Sequence, residues 1–192
     1  MKTPLLPVPP SSCAQEEGVG GEGRRGDATV TTRKPCAQEP RPFNIRPAVP
    51  QDGDAIATVH RRSMQNAMPW LPVLHTPEED RAWIANVVLP HQAVWVAEVD
   101  ARIVGVASMN GDAMLTQLYI LPAWQGLGIG SALFETAKAA RPQGFRLYAF
   151  QRNTRARAFY ERRGFSPIAF GDGSANEEGD PDVLYEWNPE SK

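Results

Sequence analysis

Cysteine is nearly absent from this chain, and the two cysteines that it has lie near its start. Cys13 and Cys36 are the only two in 192 residues. Residues 42–192 therefore contain no disulfide framework, no thiolate metal site and no cysteine nucleophile. This cysteine usage suits a reducing compartment, so we expect a cytoplasmic protein. The three histidines lack the spacing of metal ligands, and we expect no bound metal.

The chain also lacks an excess of charge and a long apolar run. Its formal net charge is −2, and no basic stripe dominates the sequence, which argues against a nucleic-acid partner. No apolar run reaches the roughly 18 residues that a membrane-spanning helix needs, so we expect no membrane partner. A length of 192 residues is enough for one domain with a substantial core.

Residues 1–41 lack aromatic side chains and any helical or strand periodicity. They are rich in proline and glycine, and they hold too few apolar residues to offset the entropy cost of ordering. We therefore expect a disordered tail over residues 1–41 and one domain over residues 42–192. A signal peptide is a weaker interpretation, because prolines interrupt the apolar stretch. A wrongly chosen start codon would also account for the tail.

Strand patterns and helix patterns alternate along the rest of the chain. Apolar and β-branched runs predict seven strands. Two of them, AVWVAEV (93–99) and RIVGVASM (102–109), should form a hairpin because only two residues separate them. The other strands are predicted at 44–48, 113–121, 145–150, 166–170 and 182–187.

Four segments show the apolar spacing and the capping signals of helices. They begin at about residues 52, 76, 129 and 153. In the second segment, Thr76 and Glu79 form a capping box. Its expected buried face consists of Trp83, Ile84, Val87 and Val88. The order of elements predicts a mixed α/β fold, in which a largely antiparallel central sheet of about seven strands carries about four helices on its faces.

The stretch QGLGIG (125–130) places three glycines in six positions directly before the third predicted helix. A helix N-terminus presents unpaired N–H groups and a partial positive charge, and glycines let further N–H groups point at the same place. Such a loop binds anionic groups such as phosphates. It matches neither the Walker loop nor the dinucleotide fingerprint. Taken alone, it could also be a tight turn.

Two motifs in order carry a family resemblance. They are LYILPAWQGLGIGSALFETAK (118–138) and NTRARAFYERRGF (153–165). Together they resemble the GNAT superfamily of acetyl-CoA-dependent N-acetyltransferases, and the resemblance covers roughly residues 43–188. It implies the GNAT fold and acetyl-CoA as co-substrate.

The resemblance also implies which residues hold acetyl-CoA. Backbone groups of Leu118, Tyr119 and Ile120 would pair with the pantetheine arm as though it were an added strand. The pyrophosphate would be held by backbone N–H groups of Gly126, Leu127, Gly128, Ile129, Gly130 and Ser131. Asn153 would hydrogen-bond the same molecule. A cluster of arginines could meet its 3′-phosphate, or could simply be solvated: Arg152, Arg155, Arg157, Arg162 and Arg163.

Tyr160 falls where the family often has its general acid. In direct transfer the amine attacks the thioester carbonyl, and the leaving thiolate then needs a proton. A phenol with a pKa of about 10 is still protonated at neutral pH and can donate it. The alternative is a tyrosine that packs beside Phe159. Many members also carry a glutamate base in the preceding strand, but FRLYAF (145–150) has none. The base would then be a water chain or a carboxylate of the acidic loop before the last strand, which we call the late loop.

The family's acceptor groove lies between the first two helices and the last two strands. In this chain that region includes Trp70 and the acidic loop in GDGSANEEGDPDVLYEW (171–187). We expect acceptor contacts from Trp70, Asn176, Glu177 and Asp182. The loop is either a solvated turn or a surface that attracts a cationic amine, and Trp70 is either a wall of the groove or a core anchor.

The favoured function is transfer of an acetyl group to a primary amine of a small molecule or peptide, by a monomer or homodimer. A non-catalytic acyl-CoA-binding sensor or interaction module on the same fold is the main alternative. An O-acetyltransferase or a longer-chain acyltransferase would also fit the fold.

Overall fold

Two antiparallel sheets form the centre of the protein. The computed structural model describes residues 42–190, so the tail predicted over residues 1–41 lies outside the described part. The first sheet has the order β1-β2-β3-β4, with strands Asn44–Pro47, Ala93–Val99, Arg102–Met109 and Leu115–Ile120. The second has the order β5-β7-β6, and in chain order its strands are Phe145–Phe150, Ser166–Phe170 and Asp182–Trp187. The seven predicted strands are confirmed.

The two sheets meet at one point between β4 and β5. A single parallel bridge joins Met114 to Arg146, and the Arg146 N–H donates to the Ala113 carbonyl at 2.9 Å. No ladder continues from this bridge within residues 42–190. The predicted central sheet is therefore divided, and the β5-facing edge of β4 is left open beyond Met114.

The helices are α1 (Gly53–Ala67), α2 (Pro77–Trp83), α3 (Leu89–His91), α4 (Ile129–Ala140) and α5 (Thr154–Glu161). The predicted capping box starts α2, since the Glu79 N–H donates to Thr76 Oγ1 at 3.2 Å and the Thr76 N–H donates to Glu79 Oε2 at 2.7 Å. Within residues 42–190 no helix is both long and apolar enough to cross a bilayer.

A π-helical segment, Ile84–Val88, links α2 to α3 and changes which side chains face inward. Ile84 and Val88 are fully buried, whereas Trp83 is 38% exposed and Val87 44% exposed. The prediction that all four residues share a buried face is therefore wrong for Trp83 and Val87. A π-helix has a wider turn than an α-helix, so the apolar spacing that assumes 3.6 residues per turn fails there.

The interior consists of two apolar clusters, and α4 contributes to both. Ile129 and Leu133 pack in the cluster beneath α1 and the first sheet. Phe134 and Ala137 pack in the cluster beneath α5 and the second sheet. Because α4 packs in both clusters, the loop that precedes it is held where the two sheets meet.

Candidate functional site

The glycine loop ends in a left-handed turn that starts α4. Gly126 and Gly128 have φ values of 81° and 85°, a conformation that favours glycine. The first backbone hydrogen bond of α4 runs from the Ala132 N–H to the Gly128 carbonyl at 3.0 Å. The N–H groups of residues 129–131 therefore lack an intrahelical partner, as at any helix start. No acidic side chain occupies this first turn, so the loop suits an anion.

A cavity of about 550 Å³ opens beside this loop; we call it the glycine-loop cavity. Its walls bring together most of the residues predicted to hold acetyl-CoA: Leu118, Tyr119, Ile120, Gly126, Gly128, Gly130, Ser131 and Asn153. Tyr160 of α5 also lines it. Leu127 and Ile129 are not among its lining residues. The Ile129 side chain is buried in the core, so this residue has only its backbone groups to offer.

Asn153 already has a structural partner. Its Oδ1 accepts the Ala156 N–H at 3.1 Å, which makes Asn153 the N-cap of α5. The amide nitrogen of this side chain, which makes no part of the cap, is left to donate to a ligand in the cavity.

Three of the five clustered arginines line the glycine-loop cavity: Arg155, Arg162 and Arg163. Arg163 donates to Ser131 Oγ at 2.6 Å and lies 3.5 Å from the centre of the Phe159 ring. Arg155 donates to Gln125 Oε1 at 2.8 Å. These contacts hold two cationic groups at the rim, where they add to the positive end of α4.

Tyr160 both packs in the core and faces this cavity. Its ring contacts Phe159 and Phe165 at centroid distances of 5.4 and 5.8 Å. Burial raises the pKa of the Tyr160 phenol above its ordinary value; Tyr119 adds to the rise and Arg163 opposes it. The phenol therefore stays protonated across the physiological range.

A second cavity of about 760 Å³ lies between α1 and α2; we call it the α1–α2 cavity. Apolar side chains of α1 and of the segment after it form much of its wall: Met64, Met68, Leu71, Val73 and Leu74. Glu177 and Glu178 of the late loop close one side. Met68 and Tyr119 line both cavities, so the two spaces adjoin at these side chains.

The four residues predicted to contact the acceptor are separated by the structure. Glu177 lines the α1–α2 cavity and pairs with His75 Nε2 at 2.9 Å. Trp70, Asn176 and Asp182 are absent from its lining. Trp70 Nε1 donates instead to Asp180 Oδ2 at 3.3 Å, and Asn176 Nδ2 donates to Asp182 Oδ2 at 3.0 Å. These three residues brace the late loop.

His60 is a further cavity residue, and its sequence context predicted a place on one face of α1 but no functional role. It lines the α1–α2 cavity, with its ring 5.0 Å from the Tyr119 ring in an edge-to-face contact and 5.5 Å from the Trp83 ring. Burial lowers the pKa of His60. The available signal was a histidine on the apolar face of α1. Within residues 42–190 no group of three or more His, Cys, Asp or Glu side chains is placed to hold a metal ion.

Known proteins resemble the chain over this same region. The family model described as "Acetyltransferase (GNAT) domain" matches residues 90–167. An uncharacterised N-acetyltransferase of Mycobacterium tuberculosis is 31% identical over 132 residues, which covers 59% of this chain and 83% of that protein. An uncharacterised N-acetyltransferase of Mycobacterium bovis matches to the same extent.

Solved structures share the fold. The apo form of YjaB from Escherichia coli superposes with a TM-score of 0.62 at 22% identity, over 76% of this chain and 97% of that chain. The PaiA N-acetyltransferase of Thermoplasma acidophilum, solved in complex with coenzyme A, gives 0.58 at 19% identity, over 77% and 99%. With most of the mycobacterial relative matched, and with the glycine loop placed at the start of α4, the chain belongs to the GNAT family of N-acetyltransferases and is an acyltransferase.

Proposed function

We propose that the protein transfers the acetyl group of acetyl-CoA directly to a primary amine. Acetyl-CoA binds in the glycine-loop cavity and the amine enters through the α1–α2 cavity. The observation that carries this proposal is the shared wall of the two cavities at Met68 and Tyr119, with Tyr160 lining the donor side. Holding the two substrates on either side of this shared wall accelerates the reaction by positioning the reacting atoms.

The donor side offers complementary groups to each part of acetyl-CoA. The N–H groups of the glycine loop and of the first turn of α4 suit the pyrophosphate. In the described part of the chain, the β5-facing edge of β4 is paired only at Met114, so residues 118–120 have backbone groups for the pantetheine amides. The arginines at the rim suit the remaining phosphate.

The chemistry then needs few protein groups. The amine nitrogen attacks the thioester carbonyl, and a backbone N–H stabilises the oxyanion that forms. As the intermediate collapses, the C–S bond breaks and Tyr160 gives its proton to the thiolate. The domain has no cysteine to carry an acyl group, which favours direct transfer to the amine over transfer through a cysteine-bound acyl-enzyme.

The acceptor side favours a cationic amine with an apolar body. Four carboxylate side chains line the cavity, against one arginine and two histidines: Glu79, Asp80, Glu177 and Glu178 with Arg61, His60 and His75. An acidic mouth over apolar walls attracts an ammonium group and repels a free carboxylate. Small amines with an aromatic or aliphatic body fit this description.

The substitution Gly130→Glu tests the donor site. A Cβ at Gly130 would meet the Ile120 side chain at an ordinary 3.5 Å, and φ there is not left-handed, so the fold should tolerate a side chain. The new carboxylate would face the phosphates, and like charges placed together cost several kcal/mol. We expect coenzyme A affinity, measured by calorimetry, to fall by about 100-fold or more.

Gly111→Glu is the matched control, because a Cβ there meets nothing within 4 Å, and it should bind coenzyme A like the wild type. Unchanged affinity in a folded Gly130→Glu variant would contradict the donor site. A panel of primary amines, followed by release of the coenzyme A thiol, tests the reaction itself. Release that no amine accelerates would count against transfer.

A further inference from the structure

A group of buried polar side chains lies where α1 meets β4. Within residues 42–190, His60 Nδ1, Ser63 Oγ and both amide atoms of Gln117 are enclosed, and the Gln117 side chain lies close enough to His60 to act on its pKa. His60 and Ser63 are three residues apart and so lie on one face of α1. Buried polar atoms are usually paired, because leaving them unpaired costs free energy. A buried histidine in the wall of a cavity, beside a second polar side chain, is a candidate for a functional role.

The same residues stand at the boundary of the two cavities. His60 lines the α1–α2 cavity, Ser63 lines the glycine-loop cavity, and Tyr119 lines both. The His60 ring meets the Tyr119 ring edge-on at 5.0 Å. An amine that approaches a thioester at this junction passes His60.

Most carboxylates of the α1–α2 cavity are already engaged. Asp80 Oδ2 lies 2.6 Å from Arg61 Nε. Glu79 accepts the Thr76 N–H that starts α2, and Glu177 pairs with His75. Glu178 is the remaining carboxylate, and it is close enough to Tyr119 to add to the effect of burial in raising the pKa of that phenol to about 12.

We infer that His60 is the general base of the transfer, taking a proton from the ammonium group of the acceptor. The inference rests on the proposed function and supplies the base that FRLYAF (145–150) lacks. Because Nδ1 is enclosed, Nε2 is the nitrogen that takes the proton.

The protons balance as follows. His60 Nε2 removes one proton from the ammonium group and later releases it to water. The neutral amine forms a C–N bond to the thioester carbon. When the C–S bond breaks, Tyr160 protonates the thiolate, and the second proton leaving the nitrogen restores Tyr160. The products are the N-acetylated amine, free coenzyme A and one proton in solution.

The protonation state of His60 suits this role. Burial lowers its pKa, and the charges of Arg61 and His75 lower it further, while Asp80 and the nearby Gln117 amide act in the opposite direction. The ring is therefore neutral near pH 7, with a lone pair free to accept a proton.

The test compares His60→Gln with His91→Gln and Glu178→Gln. His91 is exposed on α3, with Nδ1 3.0 Å from the Val87 carbonyl oxygen, and lines neither cavity, so its variant should match the wild type. In His60→Gln, kcat near pH 7 should fall by about 10²–10⁴ at unchanged coenzyme A affinity. The loss of kcat in His60→Gln should become smaller as pH approaches the pKa of the amine, because the amine then loses its proton to solvent without a protein base.

Rescue of activity by added imidazole is a second readout, and it would not occur if His60 had only a structural role. Added imidazole should restore activity to His60→Ala, because the base is supplied from solution, and should not affect His91→Ala. Three results would overturn the inference. One is a kcat of His60→Gln within about twofold of wild type, and another is a loss of kcat that stays constant with pH. The third is a loss of kcat in Glu178→Gln but not in His60→Gln. A wild type that fails to bind coenzyme A or to release its thiol would instead overturn the proposed function.

Discussion

Replacing Tyr160 by phenylalanine tests the proposed general acid and removes a single hydroxyl group. The ring contacts with Phe159 and Phe165 are kept, and the hydroxyl makes no hydrogen bond within residues 42–190. The free energy of unfolding should therefore change by less than about 1 kcal/mol. Loss of a positioned general acid typically lowers kcat by about 10²–10⁴, which is a rise of roughly 3–5 kcal/mol in the activation barrier.

The assay follows release of the coenzyme A thiol with an accepted amine, together with calorimetric affinity for coenzyme A. Because the pKa of Tyr160 is raised, the wild type should keep its proton-donating form to above about pH 10. An activity loss attributable to deprotonation of Tyr160 should therefore be absent between pH 7 and pH 9. Affinity for coenzyme A should be the same in both proteins.

Two further tyrosines make the result specific. Tyr148 is 58% exposed on β5, so Tyr148→Phe should match the wild type. Tyr119 borders both cavities, so Tyr119→Phe shows which phenol is needed. If Tyr160→Phe keeps kcat within about threefold of wild type, the assignment is wrong. If Tyr119→Phe shows the large loss instead, Tyr119 is the acid.

Two predictions concern stability. Arg46 contacts Asp52 at 2.7 Å and holds the pKa of that carboxyl below its ordinary value, so Asp52→Asn should cost about 1–3 kcal/mol at pH 7. This stabilisation is present above the ordinary Asp pKa of about 4 and is lost as pH falls through the lowered pKa of Asp52 in the folded protein. The Tm values of the wild type and Asp52→Asn should therefore converge in acid. A Tm difference that persists in acid would contradict the ion-pair explanation. A chain that starts at residue 42 should melt within a few degrees of the full chain, and a large drop in Tm would mean that residues 1–41 pack on the domain.

Much of the fold was predictable because local signals agree with one another. The two-residue connection between β2 and β3 predicted their hairpin, and residues Asp100 and Ala101 adopt the positive φ values that such a turn needs. The Thr76–Glu79 box and the Asn153 cap set two helix starts. The family resemblance carried by residues 118–138 and 153–165 is confirmed, together with the enzyme class.

The lining of the α1–α2 cavity was less predictable, because its walls come from segments far apart in sequence. The acidic loop predicted one lining residue, Glu177, but Asn176 and Asp182 bond to each other across the loop. Trp70 bonds to Asp180, which is 110 residues away in the chain. Nothing local marks which polar side chain turns inward and which braces a loop.

By itself, the sequence determined the order of elements, the glycine-rich start of α4 in QGLGIG (125–130) and the position of Tyr160 on a helix. These properties follow from backbone preferences and side-chain periodicity within a few residues. Only the tertiary structure decided that β4 and β5 separate after one bridge, that two cavities meet at Tyr119, and that burial lowers the pKa of His60 beside them. The physical reason is that cavity shape and desolvation depend on how distant elements pack, and that packing has no local signature in the chain.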